Sequence, residues 1–315
     1  MSNIDTFDRK ILYELDCNGR TTYTQIAKKL RSSKTTVKYR VERLIRENII
    51  IGFNAIIDFS LLGYSIYRIN IRLKNCPPEI EKSILDYLIS QNNIYVLFKV
   101  NGPYHLVLGV KAKNIWELNL FWEGFNNQFF NYLHSSHLSL VFDYIEFTRS
   151  YLLPTPKDKA QFATLKKIEN YELDEIDYKL LDYLSKNGRT DLVELSKKLG
   201  KSAMVIRHRL KNLQKNKIII GFRAMINHEK LGYQYYKVDM ILSSKKNFKE
   251  LKQFILSHPN VVYTEKSLIT SDFEFDLEVK DFLEFTRIME SFKSKFPNDI
   301  QDYTYYSLVK SYKLF

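Results

Sequence analysis

The chain repeats itself, and this limits its architecture more than any other feature. Displacing the sequence by 169 positions brings Asp8 onto Asp177 and Leu15 onto Leu184. It also brings Asn18-Gly19-Arg20-Thr21 onto Asn187-Gly188-Arg189-Thr190, and Ile49-Ile50-Ile51-Gly52-Phe53 onto Ile218-Ile219-Ile220-Gly221-Phe222. Leu62-Gly63-Tyr64 falls on Leu231-Gly232-Tyr233, and the offset holds without a gap to Val110-Lys111 over Val279-Lys280. Near the repeat ends it reads as a slip of eight, setting Ser150-Tyr151 over Ser311-Tyr312. Units of this length are paired domains, since solenoid repeats run roughly 20–50 residues. Pro154-Thr155-Pro156 ends the first unit, and a polar connector with a short helix is expected to follow it.

The first sixty residues of each unit read as three helices and a wing. Ile11, Leu12 and Leu15 give helix one its apolar stripe, as do Leu180, Leu181 and Leu184. Asn18-Gly19 and Asn187-Gly188 suit a left-handed cap. Thr22-x-x-Gln25 and Asp191-x-x-Glu194 have the spacing of capping boxes for helix two, and Ser33 and Ser202 can cap a third helix. On that third helix Val37, Val41 and Leu44, or Ile206, Leu210 and Leu213, form the face that must pack inward. Ser33–Arg46 otherwise carries five basic residues and one acid, and Ser202–Lys215 carries four and none. A solvated face would mix the two signs. Arg40 and Arg209 lie beside the packed face, where a structural ion pair competes evenly with phosphate contact. The β-branched runs Ile49–Ile57 and Ile218–Ile226, interrupted by Gly52 and Gly221, read as small hairpins.

The remainder of each unit has the order β-α-β-β-α-β. Tyr67, Ile69, Ile71 and Leu73 alternate with Arg68, Asn70 and Arg72, which marks a strand buried on one face. Helices then cover one side of the sheet, leaving the other to pair. That free face carries Arg68, Arg72, Lys99 and Lys111 in the first unit, and Asp239, Glu274, Asp276 and Glu278 with Lys237 and Lys280 in the second. Face-to-face packing of the two sheets, guided by opposite charge, is expected. The fold class is therefore α+β: two tandem copies of a winged helix-turn-helix followed by a ferredoxin-like domain. The expected divisions are 1–60, 61–153, a linker at 154–172, 173–232 and 233–315.

Charge follows the same division. The net +12 is concentrated in residues 1–60, with 11 basic residues against 7 acidic, and 171–232, with 13 against 8. Such segregation fits a polyanionic partner bound by the helical heads. No run of 18 apolar residues and no apolar leader core is present, so a cytoplasmic protein with no membrane partner is expected. Cys17 and Cys76 have no metal spacing and read as plain thiols. No phosphate loop, catalytic triad or zinc spacing stands out, so neither a cofactor nor a metal is expected.

These residues together resemble the Lrp/AsnC (feast/famine) family of regulators. The resemblance is carried by Asp8-Arg9-Lys10-Ile11-Leu12, Asn18-Gly19-Arg20, Val37-x-x-Arg40-Val41-x-x-Leu44 and Leu62-Gly63-Tyr64, with their second copies. It implies a transcription regulator that binds double-stranded DNA through its helix-turn-helix. It also implies ferredoxin-like domains that pair within a chain or between chains, as a homo-oligomer, and an amino acid or related effector. The DNA-reading residues are then Lys34, Thr35, Lys38, Tyr39, Arg43 and Arg46 in the first head. In the second they are Ser202, Met204, Arg207, His208, Lys211 and Lys215. Effector contact falls to Gly102, Tyr104 and His105; the second copy has Ser271-Asp272-Phe273-Glu274 there, which weighs against sensing at that site. Family members usually have one module per chain, and Arg31 stands where they usually have glycine; Gly200 is regular.

Two other functions suit this fold. Siroheme decarboxylases look like the family and use paired domains for catalysis, through His and Tyr groups on the α/β domain. Here the α/β histidines are His105, His134, His137 and His258, without a His-Asn-Tyr cluster on the second strand. An architectural DNA-binding protein would lack strong sequence preference.

Overall fold

The computed structural model describes residues 4–156, 159, 161–164, 171–268 and 271–314. The first unit runs α1 (Thr6–Cys17), α2 (Tyr23–Leu30), α3 (Lys34–Arg46), β1 (Ile50–Ile57), β2 (Ser65–Leu73), α4 (Pro78–Ser90), β3 (Ile94–Asn101), β4 (Leu106–Ala112), α5 (Ile115–Phe129) and β5 (Leu133–Phe147). A short strand β6 (Gln161–Ala163) follows. The second unit repeats the order as α6 (Glu175–Lys186), α7 (Leu192–Leu199), α8 (Ala203–Lys215), β7 (Ile219–Ile226), β8 (Gln234–Leu242), α9 (Phe248–Ser257), β9 (Val261–Ser267), β10 (Phe273–Val279), α10 (Phe282–Lys295) and β11 (Ile300–Leu314).

The helix starts follow the caps in the sequence. Thr22 and Gln25 form the reciprocal box, while Asp191 accepts the Glu194 amide at 2.8 Å. Ser33 and Ser202 cap α3 and α8.

The expected hairpins are replaced by a strand exchange. β1 pairs antiparallel with β7 of the other unit, from Ile50 opposite Ile226 to Ile57 opposite Ile219. A solitary β-branched strand cannot satisfy its own ladder, and its duplicate offers an equivalent edge. The ribbon joins the two heads. Ala224 and Ile226 enter the core of head one, and Ala55 and Ile57 enter that of head two. This also corrects the reading of the Asn-Gly pairs. Asn18 and Asn187 are extended rather than left-handed, and Gly19 and Gly188 serve close approach. A Cβ on Gly19 would lie 2.8 Å from the Arg223 backbone, and one on Gly188 would lie 2.7 Å from that of Asn54. The Gly19 amide donates to Phe222 and that of Gly188 to Phe53, both at 2.7 Å.

In each α/β half the strands order as the ferredoxin-like topology requires: β5-β2-β4-β3 and β11-β8-β10-β9. The long last strands then cross over, β5 continuing onto β9 and β11 onto β3. The two sheets thus close into one antiparallel ring of eight strands, with β6 appended to β5. The register of β11 opposite β3 makes Lys313 the counterpart of Asp143, so the slip of eight inferred from Ser311-Tyr312 is not a structural equivalence. Two aliphatic and aromatic cores lie between the ring and its helices, one per half.

The face away from the helices carries charge at the seam. Arg68 donates to Glu265 and Glu274 of the other unit, and Lys237 lies 2.9 Å from Glu265 and 3.2 Å from Glu274. Opposite-charge pairing between the units therefore exists, carried by Arg68. The other expected basic participants point elsewhere: Lys99 meets Glu81, Arg72 is exposed, and Lys111 lies 4.5 Å over the Phe59 ring. In the connector the described element is β6; the short helix expected between Lys157 and Tyr171 falls on a stretch that lies partly outside the described residues. Among the described residues no helix is long and apolar enough to cross a membrane.

Candidate nucleic-acid interface

The two third helices are held by their apolar sides. Val37, Val41 and Leu44 are fully buried under α1 and α2, and Ile206, Leu210 and Leu213 occupy the same place in head two. A left-handed residue makes the turn before each: Arg31 at φ 53° and Gly200 at φ 61°.

What remains outward is the expected set with one exception. Lys34, Thr35, Lys38, Tyr39 and Arg46 are exposed in head one, as are Ser202, Met204, Arg207, His208, Lys211 and Lys215 in head two. Tyr39 and Met204 are 58% and 80% exposed. Lys38 is 3.7 Å from Glu42, a loose pair that leaves the ammonium accessible. Arg43 is the exception: it is half-buried and its guanidinium turns inward to Asp8, which is wholly buried. A fixed ion pair there replaces the expected DNA contact.

The even contest over Arg40 and Arg209 resolves in the same direction. Arg40 donates to Asp5 at 2.6 Å and Asp8 at 3.2 Å. Arg209 meets Asp174 at 2.8 Å and Asp177 at 3.0 Å. The hydrogen bond to Asp5 is the largest contribution holding Arg40 above its ordinary value, and that to Asp177 does the same for Arg209. These arginines fasten helix three to helix one.

A pair that the sequence reading passed over lies between the heads. Arg20 donates to the Thr190 carbonyl and Arg189 to the Thr21 carbonyl, each at 2.6 Å. Each guanidinium also lies over a ribbon phenylalanine, at 4.8 Å for Phe222 and 4.6 Å for Phe53. Burial lowers both arginines from their ordinary value. Both arginines stand in the Asn-Gly-Arg that the two copies share.

Gly102, Tyr104 and His105 sit at the seam, each with internal neighbours. A Cβ on Gly102 would meet Tyr306 at 3.0 Å. The Tyr104 ring packs 5.4 Å from His137 and 6.3 Å from Tyr306. His105 accepts the Leu73 amide on Nδ1 at 2.9 Å. Cys17 and Cys76 are free thiols.

Comparison with known proteins adds to this geometry. A family model described as winged helix-turn-helix DNA-binding matches residues 4–51 and 173–220, one match per head. An uncharacterized HTH-type transcriptional regulator of Pyrococcus furiosus is 32% identical over 38% of this chain and 79% of its own length. The HTH-type transcriptional regulator LysM of Saccharolobus solfataricus is 34% identical over 38% of this chain and 80% of itself. The leucine-responsive regulatory protein of Haemophilus influenzae is 29% identical over 48% and 93%. Among solved structures, the siroheme decarboxylase NirDL superposes on 98% of this chain and 93% of its own, with a TM-score of 0.64 and 12% identity. That likeness shows a shared two-module fold.

Proposed function

The chain belongs to the Lrp/AsnC family, in a tandemly duplicated form, and on that premise we propose how it works as a sequence-specific DNA-binding transcription regulator. α3 and α8 each enter a major groove, which at about 12 Å admits one helix. Lys34, Lys38 and Arg46 in head one, and Arg207, Lys211 and Lys215 in head two, meet phosphates. Thr35, Tyr39, Ser202, Met204 and His208 lie where base edges are read. The observation that carries this reading is the pair of helices whose aliphatic sides are fully buried while their basic sides stay open. Pairing of the α/β halves is internal to the chain, and modulation by an amino acid or related effector belongs to the reading through the family. Cytoplasmic residence follows from a DNA partner.

The test is a titration of selected duplex against the full chain over a series of salt concentrations. Lys38→Ala is expected to weaken every sequence alike and to lower the salt slope by about one, whereas Thr35→Ala relaxes preference at one base position. Failure to bind duplex in dilute buffer, or an unchanged slope in Lys38→Ala, would remove the proposal. A flat preference across sequences would favour an architectural role instead.

The full-length likeness to a siroheme decarboxylase favours one rival, an enzyme on the same fold. We read the chain as non-catalytic. A tetrapyrrole absorbance band in the purified protein would reverse that.

A further inference from the structure

Each head meets the opposite half of the barrel across a cleft, and duplication makes the two clefts comparable. The first is closed by an ionic clamp. Arg149 joins the fully buried Asp16 at 2.9 Å to the buried Glu278 at 2.8 Å, and Arg223 joins Asp16 at 2.6 Å to Glu146 at 2.8 Å. Tyr151 packs at a tilt of 32° on Tyr233 with ring centroids 4.4 Å apart and donates its hydroxyl to Glu278, while Leu152 is buried in the head core.

At the second cleft three residues of that clamp are replaced. The positions of Asp16, Arg223 and Glu278 are occupied by Ser185, Asn54 and Gly109. Among the described residues a cavity of about 380 Å³ lies there, between α6 of head two and β3–β4 of the first half. Its wall holds the rings of Phe59, Tyr64, Tyr95 and Tyr178 and the ammonium of Lys111. Tyr64 is the counterpart of Tyr233, the ring on which Tyr151 packs in the first cleft.

The charge of the second cleft has also changed. Where the clamp offers carboxylates to an arginine, this wall offers a cation. Lys111 lies 4.5 Å over Phe59 and 5.8 Å over Tyr64, and among the described residues it has no ion-pair partner. The acid across the cleft, Asp182, is engaged with Lys186 at 2.8 Å. Lys313 donates to the carbonyls of Ile89 and Gln91 at 3.2 and 2.7 Å. Burial, and then the charge of Lys313, lower Lys111 from the ordinary lysine value, against a smaller opposing effect of Asp182.

We propose that this second cleft binds a small aromatic carboxylate, whose ring stacks on Tyr64 and whose carboxylate pairs with Lys111. The ligand would do for head two what Tyr151 and Arg149 do for head one, fastening it to the barrel. The site itself stands apart from the regulator reading; an effect of the ligand on DNA affinity would rest on that reading.

The probe is phenylacetate, titrated calorimetrically into the full chain at millimolar concentration, with phenylacetamide as its neutral isostere. Phenylacetate is expected to bind and the amide to fail. Lys111→Gln should weaken binding about ten-fold or more, with Lys111→Arg restoring it, since hydrogen bonds to charged partners dominate in such sites. Tyr64→Ala should weaken it as well. Circular dichroism and duplex binding of each variant check that the fold is kept. No heat with phenylacetate, equal binding of the amide, or unchanged affinity in Lys111→Gln overturns the site. Those outcomes leave DNA binding untouched, while a protein that takes phenylacetate but ignores duplex would overturn the regulator reading alone.

Discussion

Arg31 holds a left-handed backbone where the same turn in head two has Gly200. A side chain in that conformation costs roughly 1 kcal/mol, and among the described residues Arg31 has no hydrogen-bonded carboxylate to offset it. Arg31→Gly is expected to raise stability by about 1 kcal/mol, read as a shift in urea midpoint at unchanged slope. The residue types exposed on the third helices were legible because an apolar stripe at i, i+4 and i+7 fixes which sides are left over. The fate of each charge was not. Arg43 and Lys38 look alike in sequence, yet one is drawn inward by Asp8, a residue 35 positions away, and the other faces solvent. Spacing along one helix carries no record of which acid a neighbouring helix presents.

Helices and strands were readable as elements, and their caps especially so, because the partners of a cap lie within four residues. Strand partners were not. β1 has the composition of a local hairpin, and its pairing with β7 became visible only when the two units were brought together. The same holds for β5 and β11, whose 15 residues each serve two sheets. Alternation did show that Arg68 would face away from the helices, and complementary charge pointed to the opposite unit. Only this one of the expected basic positions reaches across. Its burial against Glu265 and Glu274 makes removal of the cation costly, since two buried acids would be left to share Lys237 alone. Arg68→Ala should lose on the order of 3–5 kcal/mol, measured by equilibrium unfolding. A loss below about 1 kcal/mol would mean that the seam is held by its strands alone.

At the level of the molecule the duplication has produced unlike halves. Head one is tied down by Asp16, Arg149, Arg223 and Glu278, and head two has an open cleft in that place. Amide exchange should accordingly be faster in α6–α8 than in α1–α3, with a local opening energy on the order of 2 kcal/mol lower, because buried pairs of this kind hold sub-global opening in check. Equal protection would show that the ribbon alone sets the stability of both heads. The proposed reading surfaces differ too: Thr35 and Tyr39 become Met204 and His208. Sites selected from random duplex are expected to have two unlike halves, and perfect inverted repeats would contradict this.

Closure of the ring through β5 and β11 has a consequence for how such a protein behaves when scarce. Two separate chains sharing these strands would part as their concentration fell, by mass action. Here the second copy is tethered to the first, at an effective concentration set by a short connector and indifferent to the number of molecules in the cell. A few copies would keep both reading heads assembled.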